Sequence, residues 1–363
     1  MNKPLNIVIL GLSITSSWGN GHATTYRSLV KALAARGHRV LFLERDTPWY
    51  ASNRDAPQLP YCNLRLYRDL EELKLYVDAI SNADLVIIGS YVPEGVDVAE
   101  IALTVNQNCV AFYDIDTPVT MTKLARKDYE YLHPRLIPRF DFYFSFTGGP
   151  LLKWIENHYG AQRARPLYCS VDPELYFPEP DLERQYDLGY LGTYSPDRQP
   201  TLEQLLIEPA RNLNDKHFVV AGPQYPGSIS WSGNIKRVDH IPPAHHRRFY
   251  NSQRFTLNVT RREMIKAGYS PSVRLFEAAA CATPIISDDW KGLDQFFHLG
   301  EEILVAHNPQ DVERYLTMPE DQRLDIGERC RKRVLSAHTS VHRAMELERY
   351  HSEVATPTLA VNA

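Results

Sequence analysis

Short apolar runs and segments of helical periodicity alternate along nearly the whole chain. Leu5–Leu10 (LNIVIL), Arg39–Leu43 (RVLFL), Asp84–Gly89 (DLVIIG), Cys109–Tyr113 (CVAFY) and Asp141–Phe146 (DFYFSF) lack polar–apolar alternation. That is the pattern of strands covered on both faces of a parallel sheet. Between them, His22–Arg36, Glu71–Asn82, Val96–Val105 and Leu151–Tyr159 have helical spacing, the first ending at Gly37, a natural C-terminal cap. Asn63–Tyr67 reads as an edge strand. The alternation lapses over Pro166–Gln185, where prolines and acidic residues mark a linker or irregular crossing. It restarts with strands at Asp187–Gly192, His217–Ala221, Ile235–Ile241, Phe255–Val259, Pro284–Ser287 and Glu302–Val305. Helices are predicted over Thr201–Leu213, Ala244–Asn251 and Ser272–Cys281, with a charged, helix-forming stretch over Pro319–Val354.

Repeated β-then-α order predicts an α/β protein with two Rossmann-like parallel-sheet domains facing across a cleft. The expected boundaries are 1–165 for the N-terminal domain, 166–183 for the linker and 184–335 for the C-terminal domain. A final helix over 336–355 is expected to cross back to the N-terminal domain, followed by a disordered tail at 356–363. The length of 363 residues and 44% apolar content suit two such domains.

Forty basic against forty-four acidic side chains leave a formal charge of −4, so no overall positive field is present to hold nucleic acid. Five dispersed cysteines without a CxxC pair argue against a disulfide framework or zinc knuckle. The opening apolar run is too short for a secretory leader, and no stretch approaches the length of a membrane span. A cytoplasmic location is the expectation, and the basic run Arg329–Arg333 reads as an exposed helix face or a peripheral contact with anionic lipid.

Open parallel sheets bind ligands beyond the carboxyl ends of their strands, and four such exit loops carry candidate chemistry. In the first, Trp18, Gly19, Asn20 and Gly21 lead into a helix at His22, where backbone N–H groups can meet a polar or anionic group. The spacing departs from the GxGxxG dinucleotide fingerprint, although Glu44 closes the second strand where that fingerprint places an acid. In the second, FYDIDTP, Asp114 and Asp116 form a DxD tripeptide. Such a pair could hold a divalent cation, but a cleft-facing polar turn without metal is favoured, leaving both carboxylates as candidates for acceptor binding or base catalysis.

The third loop, LGYLGTYSPDRQP, joins glycine, hydroxyls and Arg198 at a helix start, a composition suited to a diphosphate. The fourth, TRREMIKAGYSPSVRLFEAAACATPIISD, is the most informative. Arg274 lies in the first turn of a helix, and Glu277 sits beside three alanines, where a carboxylate requires a partner such as a ribose diol. A simple Glu277–Arg274 pair would satisfy the same pattern. The sequon Asn258-Val259-Thr260 falls on a predicted buried strand and is read as chance.

The GYSPSVRLFEAAACATPIISD segment followed by a charged C-terminal helix resembles the nucleotide-sugar half of GT-B glycosyltransferases. With the GNGH loop and YDIDTP, the chain resembles more narrowly the CgeB-like group of spore-maturation glycosyltransferases. The resemblance implies a metal-independent transferase needing no cofactor beyond a nucleoside diphosphate sugar as co-substrate. It implies donor contacts from Gly192, Thr193, Tyr194, Ser195 and Arg198, with Gly222 and Arg261 beside them. Tyr269, Ser270, Ser272, Val273, Arg274 and Glu277 complete the implied donor set, Glu277 holding the ribose. Many retaining members carry glutamate where this chain has Tyr269, so retention is not assured. If the reaction inverts, His22 or Asp116 is the first candidate base. The acceptor is left open among carbohydrate, lipid-linked and protein substrates.

Rival readings are a nucleotide-sugar epimerase on the same fold, a non-catalytic two-lobed sugar-binding protein and an NAD-dependent oxidoreductase.

Overall fold

A computed structural model describes residues 3–18 and 21–355. Gly19, Asn20 and the expected tail at 356–363 lie outside the described residues. Contacts divide the chain into two compact units, one of residues 1–169 with 340–363, the other of residues 170–339.

The first unit is built on a sheet of β1 (Asn6–Gly11), β2 (Arg39–Arg45), β3 (Asn63–Tyr67), β4 (Leu85–Gly89), β5 (Val110–Asp114), β6 (Phe142–Ser145) and β7 (Ala164–Pro166). The strand order is β3-β2-β1-β4-β5-β6-β7, and every pairing is parallel. Successive residues of a strand point to opposite faces. Val8, Leu10, Val86, Ile88 and Phe112 accordingly pack in one core, and Ile7, Ile9, Phe42, Ile87 and Ala111 in the other. Both faces are buried, which explains the unbroken apolar runs.

The helix Ser340–Ala355 belongs to this unit and packs on the helix His22–Ala35. It contributes Ala344, Leu347 and Tyr350 to the second core, and burying Leu347 alone contributes about 2 kcal/mol. Glu348 fixes the helix in place by accepting from Arg36 Nη2 at 2.9 Å and meeting His38 Nε2 at 2.9 Å. The Arg36 hydrogen bond outweighs partial burial and pulls the Glu348 carboxyl down to about 2.

The second unit has β8 (Tyr186–Leu191), β9 (Phe218–Ala221), β10 (Ile235–Val238), β11 (Gln253–Asn258), β12 (Ile285–Ser287) and β13 (Leu304–Val305). Their order is β10-β9-β8-β11-β12-β13, again with parallel pairings.

Local departures from the sequence reading have visible causes. The single helix expected over 71–82 is three short turns, Leu70–Leu73, Lys74–Tyr76 and Val77–Ser81. A helix over Thr117–Ala125 begins with Pro118 in its first turn, where the missing N–H has no helical partner to lose. The helix beginning at Gln199 widens into a π turn over Glu203–Ile207 before Pro209. That proline cannot donate to the carbonyl four residues back. The charged stretch near the C-terminus is two helices, Glu320–Ala337 and Ser340–Ala355.

Candidate functional site

Each sheet reverses its strand order once, between β1 and β4 in the first unit and between β8 and β11 in the second. The exits of such neighbouring strands splay apart and leave a crevice. The candidate residues gather at these two places.

In the first unit the loop after β1 is organised by Glu44 at the end of β2. Its buried carboxylate accepts from Ile14 N at 2.7 Å, Thr15 N at 3.0 Å, Thr15 Oγ1 at 2.6 Å and Ser13 Oγ at 3.0 Å. Glu44 is therefore a loop anchor, which removes the one feature that favoured a dinucleotide ribose site. The loop delivers His22 to the first position of its helix, with Gly21 at the cap position. His22 is 5% exposed. Its Nε2 lies 3.8 Å from Asp116 Oδ2, and its Nδ1 is buried without a hydrogen-bond partner.

The two DxD carboxylates have separate environments. Asp114, at the end of β5, is fully buried. It accepts from Tyr143 Oη, from Thr120 Oγ1 at 2.7 Å and from Asp116 N at 3.3 Å. Burial raises its carboxyl to about 7 despite those hydrogen bonds, with the Asp116 charge adding to the rise. The expectation of Asp114 as a catalytic or acceptor-binding group is corrected on this ground: both oxygens are engaged inside the fold. Asp116 is partly exposed and turned to His22.

Tyr91, after β4, is a residue the sequence reading missed. Its ring meets His22 edge-on at 5.5 Å and leans on Tyr131 at 4.6 Å, and its backbone is left-handed at φ 61°. Such strain in a non-glycine residue is held only where its surroundings impose it. Burial pushes the Tyr91 phenol up to about 12. Trp18 is 41% exposed on the same loop system.

In the second unit, Gly192 ends the exit of β8 beside Gly222, which follows β9. Gly222 has φ +143°, and a Cβ there would lie 2.0 Å from the Gly192 carbonyl oxygen, so only glycine lets these loops touch. The Thr193 carbonyl accepts from Arg198 Nη2 at 2.5 Å. Tyr194 packs edge-on against Tyr225 at 5.5 Å. Ser195 donates its hydroxyl to Asp197, whose other oxygen accepts from Arg262 N at 3.0 Å. The Ser195 hydroxyl hydrogen is thus engaged within its own loop.

Arg198 is 9% exposed, and its Nε has no partner. Burial chiefly lowers its pKa; Tyr190 opposes this, and Arg274 and Arg261 add smaller lowering effects. The Arg274 and Arg261 guanidinium groups are therefore both near enough to repel that of Arg198. Among the described residues, none of them forms an ion pair with a carboxylate. Arg274 lies over the Tyr190 ring at 5.2 Å and donates to Asn258 Oδ1 at 3.2 Å.

Asn258, the last residue of β11, also accepts from Ser272 Oγ at 3.1 Å and donates to Thr260 Oγ1 and Ser287 Oγ. It ties the start of the helix Val273–Ala280 to two strand ends. Ser272 caps this helix through backbone position alone, its hydroxyl being engaged by Asn258. The available signal was a polar residue closing an apolar strand. Tyr269 has φ 51° and holds its turn by donating N–H to the Lys291 carbonyl at 2.7 Å, while Ser270 is buried.

Glu277 is 3% exposed, accepts from Tyr250 Oη at 2.9 Å and lies 3.9 Å from His246 Nδ1. The Glu277–Arg274 ion pair considered from sequence is not formed between these described residues. One turn of helix separates the two side chains, so a cation and a carboxylate rise from neighbouring positions with different partners.

Residues 198–349 match the family described as "Glycosyl transferase-like". That match covers less than half of the chain, most of it in the second unit, and similarity to solved structures shows the GT-B fold. Among solved structures, the chain is similar to sucrose-phosphate synthase from Thermosynechococcus elongatus, at 14% identity and TM-score 0.70, covering 96% of this chain and 99% of that one. It is also similar to Alr3699/HepE of Anabaena in complex with UDP and glucose, at 12% identity and TM-score 0.70, covering 96% and 100%. An alpha-glucosyltransferase in complex with UDP-glucose and DNA containing an abasic site aligns at 13% identity and TM-score 0.71, covering 96% and 100%. No curated protein sequence matches the chain. Among the described residues, no helix is long and apolar enough to cross a membrane.

Proposed function

We propose that this protein is a glycosyltransferase that moves a sugar from a nucleoside diphosphate donor to an acceptor hydroxyl without a metal ion, in the cytoplasm, as a member of the CgeB-like group. The observation that carries the reading is the gathering of Arg198, Arg261 and Arg274 at a strand-order reversal without carboxylate partners. Close cations cost free energy until an anion arrives, and a diphosphate supplies two adjacent anionic groups. The same arginines would stabilise the charge that grows on the leaving diphosphate, a gain larger in the transition state than in the bound donor. Positive charge from arginine and the enclosed position of Asp114 support a metal-free site. Glu277 would accept from the ribose hydroxyls, and UDP is the first nucleotide to test because two similar structures bind it.

On the acceptor side, Nδ1 of His22 is enclosed, so the incoming hydroxyl would meet Nε2, at the edge that faces Asp116. In an inverting displacement that nitrogen takes the proton as the hydroxyl oxygen bonds the anomeric carbon and the phosphate leaves. In a retaining one the departing phosphate takes it, and His22 orients the nucleophile.

Thermal-shift titration with UDP, GDP and ADP in EDTA tests the donor reading. At least one nucleotide is expected to raise the melting temperature by mass action, with the effect lost in Arg198→Ala and Glu277→Ala. An unaltered response in both variants, or an absolute requirement for manganese, would overturn it.

A further inference from the structure

We infer that Tyr91 is a further acceptor-binding residue, its phenol aimed by a chain of side-chain hydroxyls that ends on the Asp114 carboxyl. This deepens the acceptor half of the reading above, for a polyhydroxylic acceptor, and rests on it.

Tyr91 and His22 follow β4 and β1, the two strands that flank the order reversal of the first sheet, where a parallel sheet opens a crevice. Their rings meet edge-on at 5.5 Å. The chain is pinned just before Tyr91. Ser90 donates its N–H to the Tyr113 carbonyl at 2.9 Å, and its Oγ accepts from Ile115 N at 3.1 Å. Burial raises the half-buried Tyr91 phenol, and the Asp116 charge adds to the rise. The phenol therefore lies near the same carboxylate that faces His22.

Behind Tyr91 a line of hydroxyls runs inward. The Tyr91 hydroxyl is hydrogen-bonded to that of Tyr131. Tyr131 Oη lies 2.8 Å from Thr120 Oγ1, which donates to Asp114 Oδ1 at 2.7 Å. The other Asp114 oxygen accepts from Tyr143 Oη of β6. Asp114, Thr120, Tyr131 and Tyr143 are all buried. Gly95 keeps Tyr131 in line, because a Cβ there would stand 2.7 Å from the Tyr131 carbonyl oxygen.

Each hydroxyl has one hydrogen to give. With Asp114 ionised, Thr120 gives its hydrogen to the carboxylate, Tyr131 gives to Thr120, and Tyr91 gives to Tyr131. Tyr91 then turns a lone pair outward near Asp116, an array of acceptors that fits the O–H groups of a polyol. With Asp114 protonated the order of donors reverses. Tyr91 turns its own hydrogen outward, where it competes with the polyol for Asp116. The groups facing Asp114 are Tyr143, Thr120, Asp116 in its own turn, Tyr26 of the helix His22–Ala35, Tyr131 and Tyr91. Lys123, over the Tyr131 ring at 5.8 Å, is held by Asp128 at 2.5 Å and Glu130 at 2.9 Å. No cation among the described residues pairs with Asp114, and burial holds its carboxyl at about 7.

NMR of the full chain carrying ¹³C at tyrosine Cζ tests the inference, with Tyr91 assigned through Tyr91→Phe. The Tyr91 signal is expected to titrate with a midpoint of about 7 and to lose that step in Thr120→Val and in Tyr131→Phe. These variants cut the line of hydroxyls at two places, so one carries the comparison if the other fails to fold. Methyl glucoside, methyl galactoside and glycerol serve as polyol probes. At least one is expected to shift the Tyr91 signal and to bind about fivefold tighter at about pH 8 than at about pH 6. That difference should be absent in Asp114→Asn, which keeps His22 and Asp116. A Tyr91 signal that does not titrate, a step unaltered in the cutting variants, or no response to any probe overturns the inference. The His22 ring signals and the UDP thermal shift are read separately. A probe that moves His22 and not Tyr91 overturns this inference alone, and a missing nucleotide shift marks failure of the donor reading.

Discussion

His22 Nε2 stands 3.8 Å from Asp116 Oδ2, a contact between the exits of two strands of one sheet. That separation is too long for a hydrogen bond, and the other ring nitrogen is enclosed without a partner. A satisfied core histidine would engage both.

Replacing either member should therefore slow transfer with little effect on the donor. His22→Asn is expected to lower kcat by about 10²- to 10⁴-fold, and Asp116→Asn by less, the range typical of a positioned acid or base. Nucleotide binding followed by thermal shift should persist in both. A transfer rate within about twofold of the native enzyme in His22→Asn would exclude the acceptor role.

Glu277 makes a prediction that separates ribose recognition from folding. Glu277→Gln is expected to weaken UDP binding by roughly tenfold, the scale of one lost hydrogen bond to a charged group. Binding of 2′-deoxy-UDP should be much less sensitive to the same change. The non-additive part of that cycle measures the contact itself, and full additivity would show that Glu277 only holds Tyr250.

Glu44 carries the loop ahead of His22 on four accepted hydrogen bonds. In Glu44→Ala, the buried Ile14 and Thr15 N–H groups lose their acceptor, and an unsatisfied buried group costs about 2 kcal/mol. Chemical denaturation should show that loss, and transfer activity should fall with it as the loop loosens. Nucleotide stabilisation of the remaining folded protein is expected to survive.

Asp114 gives a pH prediction with a definite sign. Burial holds its folded-state carboxyl at about 7, above the ordinary value of 3.8. Between those values the folded protein keeps a proton that the unfolded chain has released, so this group's contribution to stability falls as pH rises through that window. Asp288, raised to about 6 mainly by burial, adds the same sign over a narrower range. Asp114→Asn stays neutral, and the Tyr143 hydroxyl can turn to accept from the new amide. Urea unfolding at about pH 5 and about pH 8 should show the variant gaining relative to the native protein at the higher pH. A constant difference would mean that Asp114 does not titrate in that range.

Candidate residues of the second unit could be proposed from sequence because glycine, arginine and a helix start lie close together there. Arg198, Arg274 and Glu277 could be named from their own loops. Asn258 and Tyr250 could not, since their roles consist of contacts to Arg274, Ser272 and Glu277 brought near by folding. Tyr91 was hidden for the same reason. Asp114 and Glu44 looked functional because a carboxylate after a strand has the same one-dimensional signature whether it faces solvent or ties down a turn. The doubly buried strands were plain in the apolar runs. By contrast, the segment over 71–82 showed helical spacing but lies as three short turns.

The helix Ser340–Ala355 joins a sheet whose last strand, β7, ends at Pro166, and the whole second unit lies between them in sequence. During synthesis, residues 170–339 leave the ribosome before the piece that covers Phe142 and Phe144 through Tyr350. The nascent first sheet must wait with part of one side bare while its neighbour becomes complete. A stalled or shortened chain would therefore offer a finished C-terminal unit beside an N-terminal one open to chaperones and proteases.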